Sequence, residues 1–319
     1  MITTLNVVAY QAFGMHIRSD IPLPELPRMA TQGEEIDLQI VTRDLTDVWN
    51  EVVGGNRYFA VKENKVLFHI PNVAIYCIED GNKIMVSPMK NAHDDQIRLY
   101  ILGSCMGALL LQRKILPLHG SALAIDGKAY AIIGHSGAGK STLASAFLQQ
   151  GFQLLSDDVI PITYSKENTP MVSPAYPQQK LWQESLDAFG MEAREYRPII
   201  QRETKFAIPV SAQFATSSLP LAGIYELVKT DQKQMVVEPI LNLKRLQTLF
   251  HHTYRHFLLP HLGLTEWHFH MLAHLASHVQ LYQIQRPINR FTAHDLTIFI
   301  LNTINKRSDV NEDQTKDVP

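Results

Sequence analysis

The eight residues Gly134-His135-Ser136-Gly137-Ala138-Gly139-Lys140-Ser141 fit the pattern G-x-x-x-x-G-K-[ST], and they constrain the fold more than any other stretch of the chain. The apolar segment "AYAIIG" precedes them, and "KSTLASAFLQQ" follows with the pattern of an amphipathic helix. A strand that feeds a glycine-rich loop and then a helix is the context that makes this pattern a site. Glycines let backbone N–H groups curl around phosphate oxygens, where a side chain would block the approach. The helix adds the positive end of its dipole. Gly134 to Ser141, with Thr142 next on the helix, are therefore the candidate nucleotide-binding residues. Lys140 is placed to reach the β- and γ-phosphates of ATP, and the Ser141 hydroxyl to ligate Mg²⁺. A chance glycine-rich turn is the alternative, and the apolar strand and helix on either side speak against it.

The acidic pair Asp157-Asp158 closes the next apolar run, "FQLLSDDVIPIT". A phosphate loop needs a carboxylate at a strand end for Mg²⁺, and a kinase acting on a hydroxyl benefits from a base that takes its proton. Two adjacent carboxylates would divide those tasks. In a regular strand they face opposite ways, so both reach one site only where the strand breaks. His119-Gly120 lies on the strand before the loop strand, and the turn "DGK" brings the two together. A histidine there would orient a carboxylate or contact phosphate; a satisfied core histidine is the plainer reading of the residue alone.

Around this centre the chain divides into three parts. Residues 1–92 read as a small β-rich N-terminal domain, with short apolar runs separated by turn residues such as Gly54-Gly55, Glu63-Asn64 and Gly81-Asn82. Residues 93–306 alternate strand and helix patterns. They open on a long helix from Asp94 to Lys114, acidic at its start and basic at its end, with Pro117 after it. Residues 307–319, "RSDVNEDQTKDVP", are polar and expected to be disordered. The net charge of -2 gives no reason to expect nucleic acid or an anionic membrane as partner. The two cysteines, Cys77 and Cys105, form no C-x-x-C pair, which fits a reducing cytoplasm. The most apolar stretch, Leu99 to Leu111, is too short to cross a bilayer.

His119-Gly120, the glycine-rich loop and Asp157-Asp158, at these spacings, resemble the catalytic domain of HPr kinase/phosphorylase. The resemblance implies an α/β P-loop kinase domain of that type, with Asp157 as base for a serine hydroxyl and Asp158 as the Mg²⁺-side carboxylate. It also implies a functional His119. It covers Leu116 to Ile162. No R-G-L-G-type signature follows, which points away from phosphorolysis and from HPr as substrate. The stretch "YQAFGMHIRSDIPLPEL" is similar to the opening of HPr-kinase-like proteins of lasso-peptide clusters, and "SPAYPQQKLW" and "LPLAGIYEL" resemble the wider HPr-kinase-related group. That narrower resemblance implies a precursor peptide as partner, phosphorylated on its C-terminal serine. Assembly into a homo-oligomer is compatible with it.

Lys180 in "QQKLW" and Lys205 in "REYRPIIQRETK" are further candidates for the nucleotide, and Trp182 reads as core. Arg194, Arg197 and Arg202 in the same basic run would cover the triphosphate, meet a peptide carboxylate, or form a solvated loop. Eight of the fourteen histidines fall between His251 and His278. His270, His274 and His278 share a helical face, but Mg²⁺ prefers oxygen ligands, so a partly exposed helix is the better reading. The leading function is an ATP- and Mg²⁺-dependent peptide serine kinase. A nucleotide-hydrolysing regulator and a small-molecule kinase are the alternatives. A transporter-type ATPase is disfavoured, because neither an L-S-G-G-Q-like signature nor a D-E pair occurs after an apolar strand.

Overall fold

Alternation of apolar side chains builds the first sheet. The computed structural model describes residues 8–30, 34–52, 58–200 and 202–316. In chain order the first elements are β1 (Val8–Ala12), β2 (Met15–Ser19), β3 (Leu38–Thr42), α1 (Thr46–Val52), β4 (Phe59–Lys62), β5 (Lys65–Ile70), β6 (Ala74–Glu79) and β7 (Lys83–Pro88). The seven strands form one sheet in the order β1-β2-β3-β7-β6-β5-β4. Along β6, Ala74, Tyr76 and Ile78 enter one core while Ile75 and Cys77 enter a second, smaller one with Trp49 of α1. That is the period-2 pattern of a strand buried on both faces. The expected turn at Glu63-Asn64 joins β4 to β5, with Glu63 at a φ of 53°. The expected turn at Gly54-Gly55 lies outside the described residues.

The long helix comes in three pieces: α2 (Asp94–Tyr100), one π-helical turn (Ile101–Cys105) and α3 (Met106–Gln112). Its apolar residues, Ile97 to Leu111, pack into the same core as Tyr76 and Ile78 of the first sheet. The sequence boundary at residue 92 thus falls between a sheet and the helix that covers it. Pro117 does not follow the helix as a loop residue. It lies inside β8 (Leu116–Ile125), where it sits opposite Pro161.

The second half continues with β9 (Lys128–Ile133), α4 (Lys140–Gln149), β10 (Gln153–Tyr164), β11 (Pro170–Val172), β12 (Gln178–Trp182) and α5 (Gln183–Ala188). Then follow β13 (Arg197–Ile199), β14 (Arg202–Pro209), β15 (Leu219–Thr230), β16 (Val236–Pro239), α6 (Leu243–His251), α7 (Thr265–His278), β17 (Gln280–Pro287) and α8 (Ala293–Lys316). A mixed sheet runs β11-β10-β8-β9-β15-β17-β16, and β11 also pairs with the start of β15. β9, β15 and β17 are parallel neighbours, so their C-terminal ends lie together. Leu143 and Phe147 of α4 pack with Leu296 and Ile300 of α8 against one face of this sheet. Leu249 of α6 and Leu272 and Leu275 of α7 cover the other. A small third sheet, β12-β14-β13, lies beside α4. The backbone of α8 is helical to Lys316, across most of the segment for which composition predicts disorder, and residues 317–319 lie outside the described residues. Among the described residues, no helix is long and apolar enough to cross a membrane.

Candidate active site

The loop after β9 curls through Gly134, Gly137 and Gly139 at φ of 150°, 77° and 101°, in or near the region that side chains disfavour. Gly139 caps α4, which opens on Lys140 and Ser141. The Lys140 ammonium turns back onto the loop and donates to the carbonyls of Gly134 at 2.8 Å and His135 at 3.1 Å. Burial pulls its pKa below the usual lysine range, against the pull of Asp157 and Asp158. Arg286, from the end of β17, donates through Nε to Ala138 O at 2.6 Å and supports the loop from outside. Thr142 exchanges a hydrogen bond with Ser185 at 2.8 Å, and tethers α4 to α5.

Asp157 and Asp158 do not close their strand. They sit in the middle of β10, opposite Ser121 and Gly120 of β8. The break that lets both carboxylates reach one cleft is local: a register shift after Leu154 and a φ of 85° at Asp158. The two environments differ. Asp157 is 3% exposed and accepts hydrogen bonds from Ser141 Oγ at 2.8 Å, Ser121 Oγ at 2.5 Å and the Lys180 amide at 2.9 Å. Asp158 lies farther out, with Lys180 Nζ 2.7 Å from Oδ2 and His119 Nδ1 3.4 Å from Oδ1. The carboxylate beside the helix-borne serine is therefore Asp157, whereas the family resemblance puts Asp158 on the Mg²⁺ side.

Burial alone would raise the Asp158 carboxyl, but the Lys180 ammonium and His119 outweigh it and hold the group well below the usual carboxylate range. Lys180 responds in mirror image, with Asp158 overcoming burial to push its pKa up. His119 is pulled down mainly by burial and in part by Lys140, against the opposing pull of Asp158. Its Nδ1 also lies 3.0 Å from Asp158 O, and its amide donates to His252 O at 2.8 Å. Behind it, His252 Nε2 is 3.0 Å from Glu226 Oε1, and Gln283 donates to the other oxygen at 2.7 Å.

A sign follows for pH dependence. Lys180→Met removes the charge that depresses Asp158, so this carboxyl should titrate higher by about one unit or more. A ¹³C NMR titration of the Asp158 carboxyl in wild type and variant checks this. An unmoved carboxyl would mean that Lys180 does not control it.

These residues line a cleft of about 490 Å³ that also receives Lys205 and Lys229. Lys205 stands 5.3 Å from the ring centroid of Trp182, which is 39% exposed and not core. Arg194 and Arg197 of the same basic run do not line the cleft. Arg194 is exposed and paired with Glu192, and Arg197 reaches Asp95 at 3.2 Å. The Arg202 side chain lies outside the described residues. A second hollow, of about 730 Å³ and largely apolar, opens from the cleft and shares Leu99, Lys180, Ile199 and Ile200 with it. Its far wall is Pro24 to Pro27, held by the Leu23 amide on Tyr10 Oη and by Glu25 on Arg98.

Sequence reasoning missed Ser121, Glu226, Lys229, His252 and Arg286. Ser121 is two residues past His119 and adjacent in the strand pattern, so its position was available. Glu226, Lys229 and Arg286 arrive through the long parallel pairings β9–β15 and β15–β17, and His252 follows α6 and meets His119 and Glu226; none of these leaves a local signal. On α7, His270 is 3.8 Å from Glu266, and the rings of His274 and His278 are 4.1 Å apart. Among the described residues, no group of three or more His, Cys, Asp or Glu could hold a metal ion.

No protein-family model matches the chain, and no curated protein matches its sequence. Among solved structures the chain is similar to an Hpr(Ser) kinase/phosphatase from Coxiella burnetii, at 16% identity and a TM-score of 0.36. The similarity covers 64% of this chain and 99% of that one.

Proposed function

We propose that the chain is an ATP- and Mg²⁺-dependent kinase that phosphorylates a serine hydroxyl of a peptide. One observation carries the reading. Two successive carboxylates line one cleft, one bonded to the loop serine and one held by a lysine and a histidine. A nucleotide hydrolase needs the first; a hydroxyl kinase also has use for the second.

In this reading the loop amides and Lys140 bind the β- and γ-phosphates, and Lys140 leaves its carbonyl partners to do so. The hydroxyl of Ser141 and the carboxylate of Asp157, 2.8 Å apart, are oxygen donors of the kind Mg²⁺ takes. Mg²⁺ held there would neutralise charge on the phosphates. Asp158 accepts the serine proton as the serine oxygen bonds to the γ-phosphorus and the bond to the β-phosphate oxygen breaks, releasing ADP. A depressed pKa makes Asp158 a weak base but keeps it ionised, and a loose phosphoryl-transfer transition state demands little early proton removal. Lys180 and His119 hold that carboxylate in place. The apolar hollow beside the cleft favours a peptide over a small polar acceptor, because it offers a surface for neighbouring side chains. Following the lasso-pathway resemblance of Tyr10 to Leu26, we assign the acceptor as the C-terminal serine of a precursor peptide.

A kinase must exclude water from the γ-phosphate until its acceptor arrives. ATP hydrolysis should therefore be slow alone and ATP consumption should rise with peptide. A precursor encoded beside this gene should gain one phosphate, or several if transfer repeats, by mass spectrometry. Replacing its last serine with alanine should abolish labelling and leave slow hydrolysis intact. Fast hydrolysis without peptide, and no labelling of any neighbouring precursor, would favour the regulator.

A further inference from the structure

On the acceptor side of the cleft stands an arginine that the chain itself leaves without a counter-ion. Arg255 donates to Ser104 Oγ, and its guanidinium lies 5.0 Å from the ring centroid of Tyr254. Its Nε is buried with no hydrogen-bond partner, and among the described residues no carboxylate lies within ion-pair reach. The other arginines on this side are satisfied internally: Arg98 by Glu25 and Asp95, Arg197 by Asp95. Arg255 is half-buried, but a buried N–H without an acceptor is costly, and the buried Nε persists where something else supplies the acceptor.

The surroundings are built to hold it there. Arg255 has a left-handed backbone, φ 58° and ψ 31°, which side chains rarely adopt and which recurs at ligand sites. The facing helix has its π-helical turn at Ile101–Cys105, which includes Ser104; such turns also gather at functional sites. One turn on, Gly107 makes the approach possible. A Cβ there would lie 2.5 Å from Tyr254 Cδ1 and 3.3 Å from Arg255 Cγ. Contacts then run without a gap to the acidic pair. Tyr254 is 5.6 Å from His119, ring to ring, and His119 touches Asp158. Arg255, Tyr254 and Ser104 all line the cleft.

Resting on the kinase reading above, we propose that Arg255, seated on Ser104 and Tyr254, binds a carboxylate of the acceptor, the free C-terminal carboxylate of the residue whose hydroxyl faces Asp158. The planar guanidinium offers paired N–H groups that match a carboxylate in shape and charge. A lysine would not replace it. The adjoining apolar hollow accommodates the residues that precede the terminus, which favours a peptide over a free hydroxy acid.

The test does not require turnover. N-acetyl-L-serine and N-acetyl-L-serinamide are titrated into protein carrying ¹⁵N-labelled arginine, with and without saturating Mg²⁺ and a non-hydrolysable ATP analogue. The Arg255 Nε–H signal is identified by its loss in Arg255→Lys. The acid should shift that signal saturably and bind about tenfold more tightly than the amide, the scale for one charge-assisted hydrogen-bonded contact. The same preference should hold for a short peptide ending in serine as acid or amide, and exceed that for L-serine if the hollow takes the preceding residues. Equal shifts with acid and amide, or none in either nucleotide state, would overturn the proposal. So would a shift caused by the nucleotide alone, which would reassign Arg255 to the phosphates. If Arg255→Lys does not fold, the comparison of acid with amide on wild type still decides. Failure of the kinase reading shows separately, as absence of phosphate transfer in a protein that binds the acid.

Discussion

Asp158→Asn is expected to lower phosphoryl transfer by about 10²–10⁴-fold, the usual contribution of a positioned proton acceptor, while nucleotide binding with Mg²⁺ stays close to wild type. The amide keeps the size of the side chain but cannot take the serine proton. It also strands the buried Lys180 ammonium, so thermal unfolding should accompany the kinetics to separate lost chemistry from a loosened site. Asp157→Asn should behave differently. That carboxylate is bonded to Ser141, so its loss should raise the Mg²⁺ concentration needed for half-maximal rate more than it lowers the rate at saturation. If both variants only weaken Mg²⁺ binding, Asp158 is not the base. If Asp157→Asn abolishes transfer at saturating Mg²⁺ while Asp158→Asn is mild, the roles follow the family resemblance instead.

Lys140→Ala should cut turnover by about 10²-fold or more, the scale for one preorganised charge-stabilising group. The lysine donates to the loop carbonyls of Gly134 and His135, beside the cleft and outside the apolar clusters. The fold should survive, which circular dichroism and thermal unfolding would establish. Near-normal transfer in a well-folded variant would refute a phosphate-binding role for the loop.

The elements that position the site were legible where the pattern was local. Loop, helix and the β8–β9 hairpin each follow from neighbours a few residues apart, and the turn at Asp126-Gly127 is written in the residues that make it. The placement of Asp157-Asp158 was half legible. The need for a break was deducible from strand geometry, but the strand was expected to end there, because nothing in "SDDVIP" signals that pairing with β8 resumes beyond the irregularity. Which of the two carboxylates meets the serines was not legible. It depends on the register of β10 against β8. Arg255 was hidden for a different reason. It stands in a histidine-rich stretch that draws attention to metal binding, and its relation to the cleft exists only because Gly103 and Gly107 let Tyr254 and Arg255 close on the π-helical turn.

The left-handed residue in β10 turns the strand into a ruler. Two neighbouring Cα atoms are about 3.8 Å apart, and that step is fixed by covalent geometry rather than by packing. The carboxylate on the loop side and the one on the acceptor side are joined by that single peptide unit. The Cα atoms that carry the two carboxylates therefore cannot drift apart, and the spacing of the carboxylates changes only through χ rotation of the two side chains. Any slip of β10 along β8 carries both Cα atoms together and keeps their spacing, whereas an inserted residue between Asp157 and Asp158 would change the gauge itself.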